Sequence, residues 1–328
     1  MPAPSSPSTF QRPDLGQAYL EFDLMSHIQG FIGLKLMPLT PVALQASNFS
    51  KVLIEQLLNS DRKVKRAPGS GYARNETQFT QDNYATEERG VEELLDDRDR
   101  ATFAYTGIQF EQLAADRAVA DLLRDLEIEI AAIIQDSATY DTSGVSTEWS
   151  THASAVPIAN VMTARETFKG QCGVYPNKIA MSEKVATNVV QCAEVKDVLK
   201  YVGHADPGTL LGGMGASSGV LAKTSAALAQ IFRVEEVCIS PAVSNSANSG
   251  QSATLADIWN DEYVSLMRSP EGGDVRSVGF GRTFAFEQMV LEQYRDEPKR
   301  SDVVRARFDL DVKVIHAECI HVLTNITA

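Results

Sequence analysis

Gly215-Ala216-Ser217-Ser218-Gly219 matches the G-x-S-x-G pattern that places a nucleophilic serine on a sharp strand-to-helix turn, with Asp and His residues following in hydrolase order. Such an elbow needs a buried strand directly before the turn. Gly208 to Met214 is too short and too glycine-rich to form one, so the stretch reads as a Gly/Ser loop. It also fails as a phosphate cradle: the pattern ending at Lys223-Thr224 needs glycines where Ser217 and Ala222 stand, and G-x-G-x-x-G from Gly213 meets Ser218.

His316, Glu318, Cys319 and His321 are ligand types crowded at one place. On a strand, His316 and Glu318 face one way and the other two the opposite way, so convergence on a metal would require a bulge. His27, His152 and His204 stand alone, and Trp149 and Trp259 read as packing anchors. The four cysteines (Cys172, Cys192, Cys238, Cys319) form no C-x-x-C pair and read as buried thiols. The acidic run from Glu92 to Asp99 has the chemistry to hold a divalent cation, but reads first as a solvated or subunit-facing surface. No cofactor or metal is expected.

The elements available to position these groups are few and long. Ala115, Val119, Leu122, Leu126, Ile130 and Ile133 recur at spacings of three and four, which predicts one amphipathic helix of about 30 residues, roughly 45 Å, opening near Thr106 with Gln109 as a capping box. Between Pro157 and Phe280 shorter elements alternate. Helices are expected near Ile158–Phe168, Glu183–Cys192 and Ala222–Phe232, and strands near Lys178–Met181, Glu235–Ser240 and Glu262–Met267, which together read as a compact α/β lobe. Two polar segments, Gly203 to Gly219 and Ala242 to Ala253, are expected to be mobile loops. Val304, Ala306, Phe308, Leu310, Val312 and Val314 alternate with charged residues, the pattern of a strand with one wet face; parity breaks at Val314-Ile315, which predicts a bulge or a change of partner. The terminal strand is expected to return and pack on the long helix.

The segment from Asn59 to Gly90 is the opposite of these. Of its 32 residues only seven are apolar or aromatic, too few to offset the entropy of ordering it alone. If ordered, it must lie on something else. Its charge falls in two blocks, Arg62, Lys63, Lys65 and Arg66 before Pro68-Gly69, and Glu87, Glu88, Glu92, Glu93, Asp96 and Asp97 after it. Basic and acidic ends on one arm suit head-to-tail contacts between identical copies.

Composition is that of a globular protein: 44% apolar and 22% charged over 328 residues. A net charge of -13 argues against direct grip on nucleic acid, whose affinity comes from Lys and Arg at phosphates. The Pro- and Ser-rich start reads as a flexible tail rather than a secretory signal, and no apolar run reaches the ~20 residues of a membrane span.

In this order of parts, and in Arg66-Ala-Pro-Gly-Ser-Gly-Tyr72, Tyr84-Ala-Thr-Glu-Glu-Arg89, Asp116 to Asp136, Tyr175-Pro-Asn-Lys-Ile179 and Arg300-Ser-Asp-Val-Val-Arg305, the chain resembles the major capsid proteins of tailed bacteriophages, whose fold encapsulin shells share. The resemblance implies an α+β fold. Residues 1–50 would be an N-terminal arm, 51–103 an extended loop hairpin, 104–157 with 283–328 a peripheral domain of spine helix and long antiparallel strands, and 158–282 a central α/β axial domain. It further implies a non-enzymatic shell subunit of the virion, assembled in the host cytoplasm. That subunit would form hexamers and pentamers of an icosahedral head around double-stranded DNA, with portal, scaffolding and cement proteins as further partners. Scaffolding is expected to be separate or absent, and no Lys–Asn crosslink chemistry is identified. The alternative within the fold is an encapsulin-like compartment shell; from a different class, it is a serine hydrolase using Ser217.

Overall fold

The computed structural model describes residues 30–54, 65–66, 68–69, 71–72, 79–103, 110–201, 218–248, 250–271 and 277–327. In chain order the elements are α1 (Gly33–Leu36), β1 (Leu39–Pro41), β2 (Ala46–Val52), β3 (Phe79–Ala85), β4 (Glu87–Asp96), α2 (Asp97–Phe103) and the spine helix α3 (Phe110–Ile134). There follow β5 (Thr142–Gly144), α4 (Pro157–Cys172), β6 (Lys178–Ser182), α5 (Glu183–Gln191), α6 (Ala193–Tyr201) and α7 (Ser218–Phe232). Then come β7 (Glu236–Ser240), β8 (Val243–Asn245), β9 (Leu255–Asp257), β10 (Val264–Met267), β11 (Gly281–Asp296), β12 (Ser301–Val314), a 3-10 turn (Ala317–Cys319) and β13 (Ile320–Thr324).

Two sheets organise these parts. A four-stranded sheet runs β1-β11-β12-β4, and a five-stranded sheet runs β5-β13-β10-β6-β7. On β12 the predicted alternation holds over most of the strand: Val304, Ala306, Phe308, Leu310 and Val312 are buried, while Arg305, Arg307, Asp311 and Lys313 are half exposed on the other face; Asp309 on that face is buried and Val314 is half exposed, against the pattern. Ala306, Phe308 and Leu310 join Leu122, Leu126 and Ile130 of α3 in one core, so the late strand does pack on the early helix. The parity break at Val314-Ile315 is a change of partner. The chain leaves β12 there, makes the 3-10 turn and enters the other sheet as β13 beside β10 and β5.

The five-stranded sheet is a wall between two cores. Ile179 and Met181 of β6 face a lobe core with Val185, Val189 and Phe232, whereas Ala180 between them belongs to the spine-helix core. With both faces covered, its strands read as continuous apolar runs, which is why Val264–Met267 is buried throughout. Local signals set the lobe helices. Pro157 opens α4 and Gly173, at φ 75°, closes it; the Ser182 hydroxyl accepts from Val185 N at 3.3 Å to cap α5.

The spine helix is described from Phe110 to Ile134, 25 residues, and the expected opening at Thr106 and Gln109 lies outside the described residues. Two expectations need correction, and one helix was not foreseen. The buried face of the spine helix is Ala114, Ala118, Leu122, Leu126, Ile130 and Ile134, while Ala115, Val119 and Ile133 are only half covered. The stripe therefore sits one residue off at both ends. The segment 242–253 is partly ordered: β8 pairs with β9, and the Asn245 side chain closes the turn by accepting from Ala247 N (3.1 Å) and Thr254 N (2.9 Å). Helix α6 was absent from the periodicity reading; its apolar residues Val195 and Leu199 are spaced by four and are both buried in the lobe core.

Candidate assembly surface

The outer face of the long sheet carries a ladder of charge. In register, Arg305 of β12 faces Glu92 of β4 and Glu292 of β11, and four residues on Asp309 faces Glu88 and Glu287. Arg305 reaches Glu92 at 2.6 Å and Glu292 at 3.6 Å; Arg307 reaches Glu287 at 2.6 Å, Glu292 at 3.1 Å and Glu88 at 3.3 Å. Tyr294 donates to Glu92 at 3.2 Å, and the Arg305 guanidinium lies 5.1 Å from that ring. The Arg305 hydrogen bond outweighs desolvation and holds the Glu92 carboxyl below its ordinary range. A side chain at Gly90 would press on Arg307 Cβ and the Ala306 carbonyl, each 3.3 Å away, so glycine there lets β4 lie close beside Arg307. At the sheet's tip Arg295 pairs with Asp97 (2.6 Å) and Asp302 (3.1 Å), and Arg100 pairs with Asp302 and Glu111.

At the other end, the β2–β3 hairpin rests on this sheet. Tyr84 stacks on Phe284 with centroids 4.7 Å apart, and Phe49 meets the same ring at 5.5 Å. Ala85 N donates to Asp311 at 3.0 Å, and Lys51 donates to the Ile315 carbonyl at 2.9 Å and pairs with Asp82 at 3.2 Å. Desolvation pushes Asp82 up, but the Asn83 N–H, Lys51 and Lys313 together hold it low. Beyond its feet the hairpin loses this cover. Phe79 is 63% exposed and Tyr72 78% exposed, the latter with the Arg66 guanidinium 4.7 Å from its ring.

Among the charged residues singled out by sequence, Glu88 and Glu92 meet Arg307 and Arg305, Glu93 approaches Arg117 at 4.0 Å, and Glu87 is exposed on β4. The acidic block is thus a strand whose cations stand in the same chain. Lys65 and Arg66 are exposed; Arg62 and Lys63 lie outside the described residues. So do Ser217, His27 and His204.

His316 and His321 are separated by the 3-10 turn. Among the described residues, no group of three or more ligand side chains stands together for a metal. His321 is wholly buried, its Nε2 3.0 Å from Ser143 Oγ and its Nδ1 2.9 Å from Asp141 Oδ2. That is the atom order of a hydrolytic triad, but a ring with no exposed surface cannot hand a proton to a leaving group. Burial outweighs Asp141 and pushes its pKa down; the neutral ring ties edge strand β5 to β13. All four cysteines are free and buried, with the Cys238 thiol pushed up to about 12 by burial.

A buried acid was not anticipated. Glu127, next to Leu126 on the covered face of α3, is 2% exposed and binds the backbone of Ile32 and Gly33 and the indole of Trp259. The sequence signal was its place between Leu126 and Ile130, inside the apolar stripe.

No protein-family model matches the chain, and no curated protein sequence does. Solved structures do. A phage-related protein from Bordetella bronchiseptica RB50 superposes with a TM-score of 0.63 at 20% identity, covering 92% of this chain and 96% of that one. The capsid of cyanophage P-SCSP1u gives 0.56 at 11% identity over 89% and 87%. A virus-like particle from Pyrococcus furiosus gives 0.52 at 12% identity over 92% and 95%. At these identities it is the path of the chain that agrees: the chain carries the fold of bacteriophage capsid proteins.

Proposed function

We propose that this chain is the self-assembling major shell subunit of a tailed-phage head, forming hexamers and pentamers that close around double-stranded DNA. The observation that supports this best is the extent of the likeness: about nine tenths of this chain and of each phage capsid chain superpose, so the match is to a whole subunit rather than to a shared lobe. The hairpin supports it too. Its feet are pinned to the sheet while Phe79, Tyr72, Lys65 and Arg66 are exposed to solvent. We read residues 1–50, 51–103, 104–157 with 283–328, and 158–282 as arm, extended loop, peripheral domain and axial domain. In that reading the basic block Arg62, Lys63, Lys65 and Arg66, with Glu87, Glu88, Glu92 and Glu93, forms contacts between neighbouring copies. A net charge of -13 fits a wall that encloses nucleic acid without gripping it.

Negative-stain microscopy of the purified chain across salt and protein concentration tests this. Closed shells, rings or capsomers support it, and a subunit that sediments only as a monomer under every condition overturns it. Shells filled with protein cargo in the host, without DNA, would move the reading to a compartment shell of the same fold.

A further inference from the structure

Two of the four buried thiols meet. Cys172 is the last residue of α4, and Cys319 is the last of the 3-10 turn that carries the chain from β12 into β13. Far apart in sequence, they lie in one core at 2% and 0% exposure, and the Cys319 S–H donates to the Cys172 sulfur. The same sulfur accepts from the Val174 N–H, which turns back onto it where Gly173 ends the helix. Backbone hydrogen bonds fix the turn from both sides: Cys319 N donates to the His316 carbonyl at 3.1 Å, and Arg268 N donates to the Cys319 carbonyl at 3.1 Å.

The cover over the pair is thin, since its chain neighbours Gln171, Ala317 and Glu318 are exposed. The other two cysteines are different. Cys192 donates to the Asn188 carbonyl at 3.2 Å, and burial pushes Cys192 and Cys238 up to about 11 and about 12. Neither meets a second thiol among the described residues.

We propose that Cys172 and Cys319 are a redox-closable pair, a modification site at which a peroxide joins the end of α4 to the crossing between the two sheets. The Cys172 sulfur, as thiolate, attacks one oxygen of hydrogen peroxide; the O–O bond breaks, a sulfenic acid forms, and the departing hydroxide takes up the thiol proton as water. The Cys319 sulfur then displaces the sulfenic hydroxyl, which leaves as water with the second thiol proton, and the S–S bond forms. Two thiols have lost two electrons and one peroxide has become two waters. The contacts suit these roles: the Cys319 S–H and the Val174 N–H hold the Cys172 thiol below its ordinary range against desolvation, and the shared contact pushes Cys319 up. A reducing cytosol holds such a pair open, and oxidising surroundings close it.

Thiol mapping of the folded full chain tests this. After hydrogen peroxide, alkylation in denaturant and proteolysis, mass spectrometry should find Cys172 joined to Cys319, with Cys192 and Cys238 still alkylated. Dithiothreitol should restore all four thiols. Because the link closes a long loop of the unfolded chain, the oxidised subunit should melt roughly 5–10 °C above the reduced one. Cys172→Ser and Cys319→Ser should each abolish both the cross-link and the rise in Tm; should either variant not fold, mapping of the unmodified chain decides. Four thiols left intact, a sulfinic acid at Cys172 with Cys319 still free, a cross-link that forms only in denaturant, or an oxidised chain no more stable than the reduced one each overturns the proposal.

Discussion

Ile133 and Ile134 are neighbours on the spine helix with identical side chains, and the structure separates them: Ile134 has no exposed surface and Ile133 is only partly covered. Truncating Ile134 to Ala removes three carbons, worth about 2.4 kcal/mol at about 0.8 kcal/mol per buried CH2. The void adds about 24 cal/mol per Å3 that the core fails to refill, which places the loss within the usual range of about 2–5 kcal/mol. Helix propensity improves equally at both sites and drops out of the comparison. At about 2 °C per kcal/mol for a chain of this size, Ile134→Ala should lower Tm by roughly 5–10 °C, and Ile133→Ala by about half of that or less. Thermal unfolding of the dispersed subunit followed by far-UV circular dichroism measures both. If Ile133→Ala costs as much as Ile134→Ala, the helix is rotated from its described position and the corrected stripe is wrong.

Reversing Arg62, Lys63, Lys65 and Arg66 to Glu should leave the subunit folded by circular dichroism yet weaken or abolish assembly by sedimentation; an unfolded subunit would place this arm in the core instead. Acid should weaken the outer ladder: Glu92, Asp97 and Asp82 are held below 4.5, 3.8 and 3.8 respectively, so their contribution is full above those values and lost as pH falls through the lower ones. Melting temperature should therefore drop below about pH 4, and Arg307→Ala should lower it at neutral pH and low salt, with the difference shrinking as salt rises.

Period and length made the large elements legible. Strict alternation from Val304 to Val314 could only be a half-wet strand, and a run of three- and four-residue spacings from Ala115 onward could only be a helix. Their juxtaposition was legible as well, because a strand and helix of similar length with matching apolar faces have nowhere better to go. What periodicity missed was decided by local chemistry. The β8–β9 hairpin depends on one Asn245 side chain inside a polar stretch. Strand β10 falls within the expected Glu262–Met267 although it is buried throughout and shows no alternation. The one-residue offset of the helix stripe involves Ala114 and Ala118, which are only weakly apolar in sequence yet are buried.

The charged residues were legible as a pattern and not as a set of partners. Glu87 to Asp97 reads as a free acidic run until β4 is seen beside β12, where Arg305 and Arg307 stand opposite it at the spacing the register imposes. A ladder so paired still carries excess negative charge, since Arg305 and Arg307 meet Glu88, Glu92, Glu287 and Glu292, and the exposed Leu94 lies on the same strand as Glu88 and Glu92. The hairpin end is the reverse case, with Phe79 and Tyr72 largely exposed. In the proposed shell, contacts between the ladder and the hairpin of a neighbouring copy would need to be only weak, since closed symmetry repeats each one. Subunit stability and shell strength would then be set by different residues: the apolar stripe and Glu127 inside, the hairpin and the ladder outside.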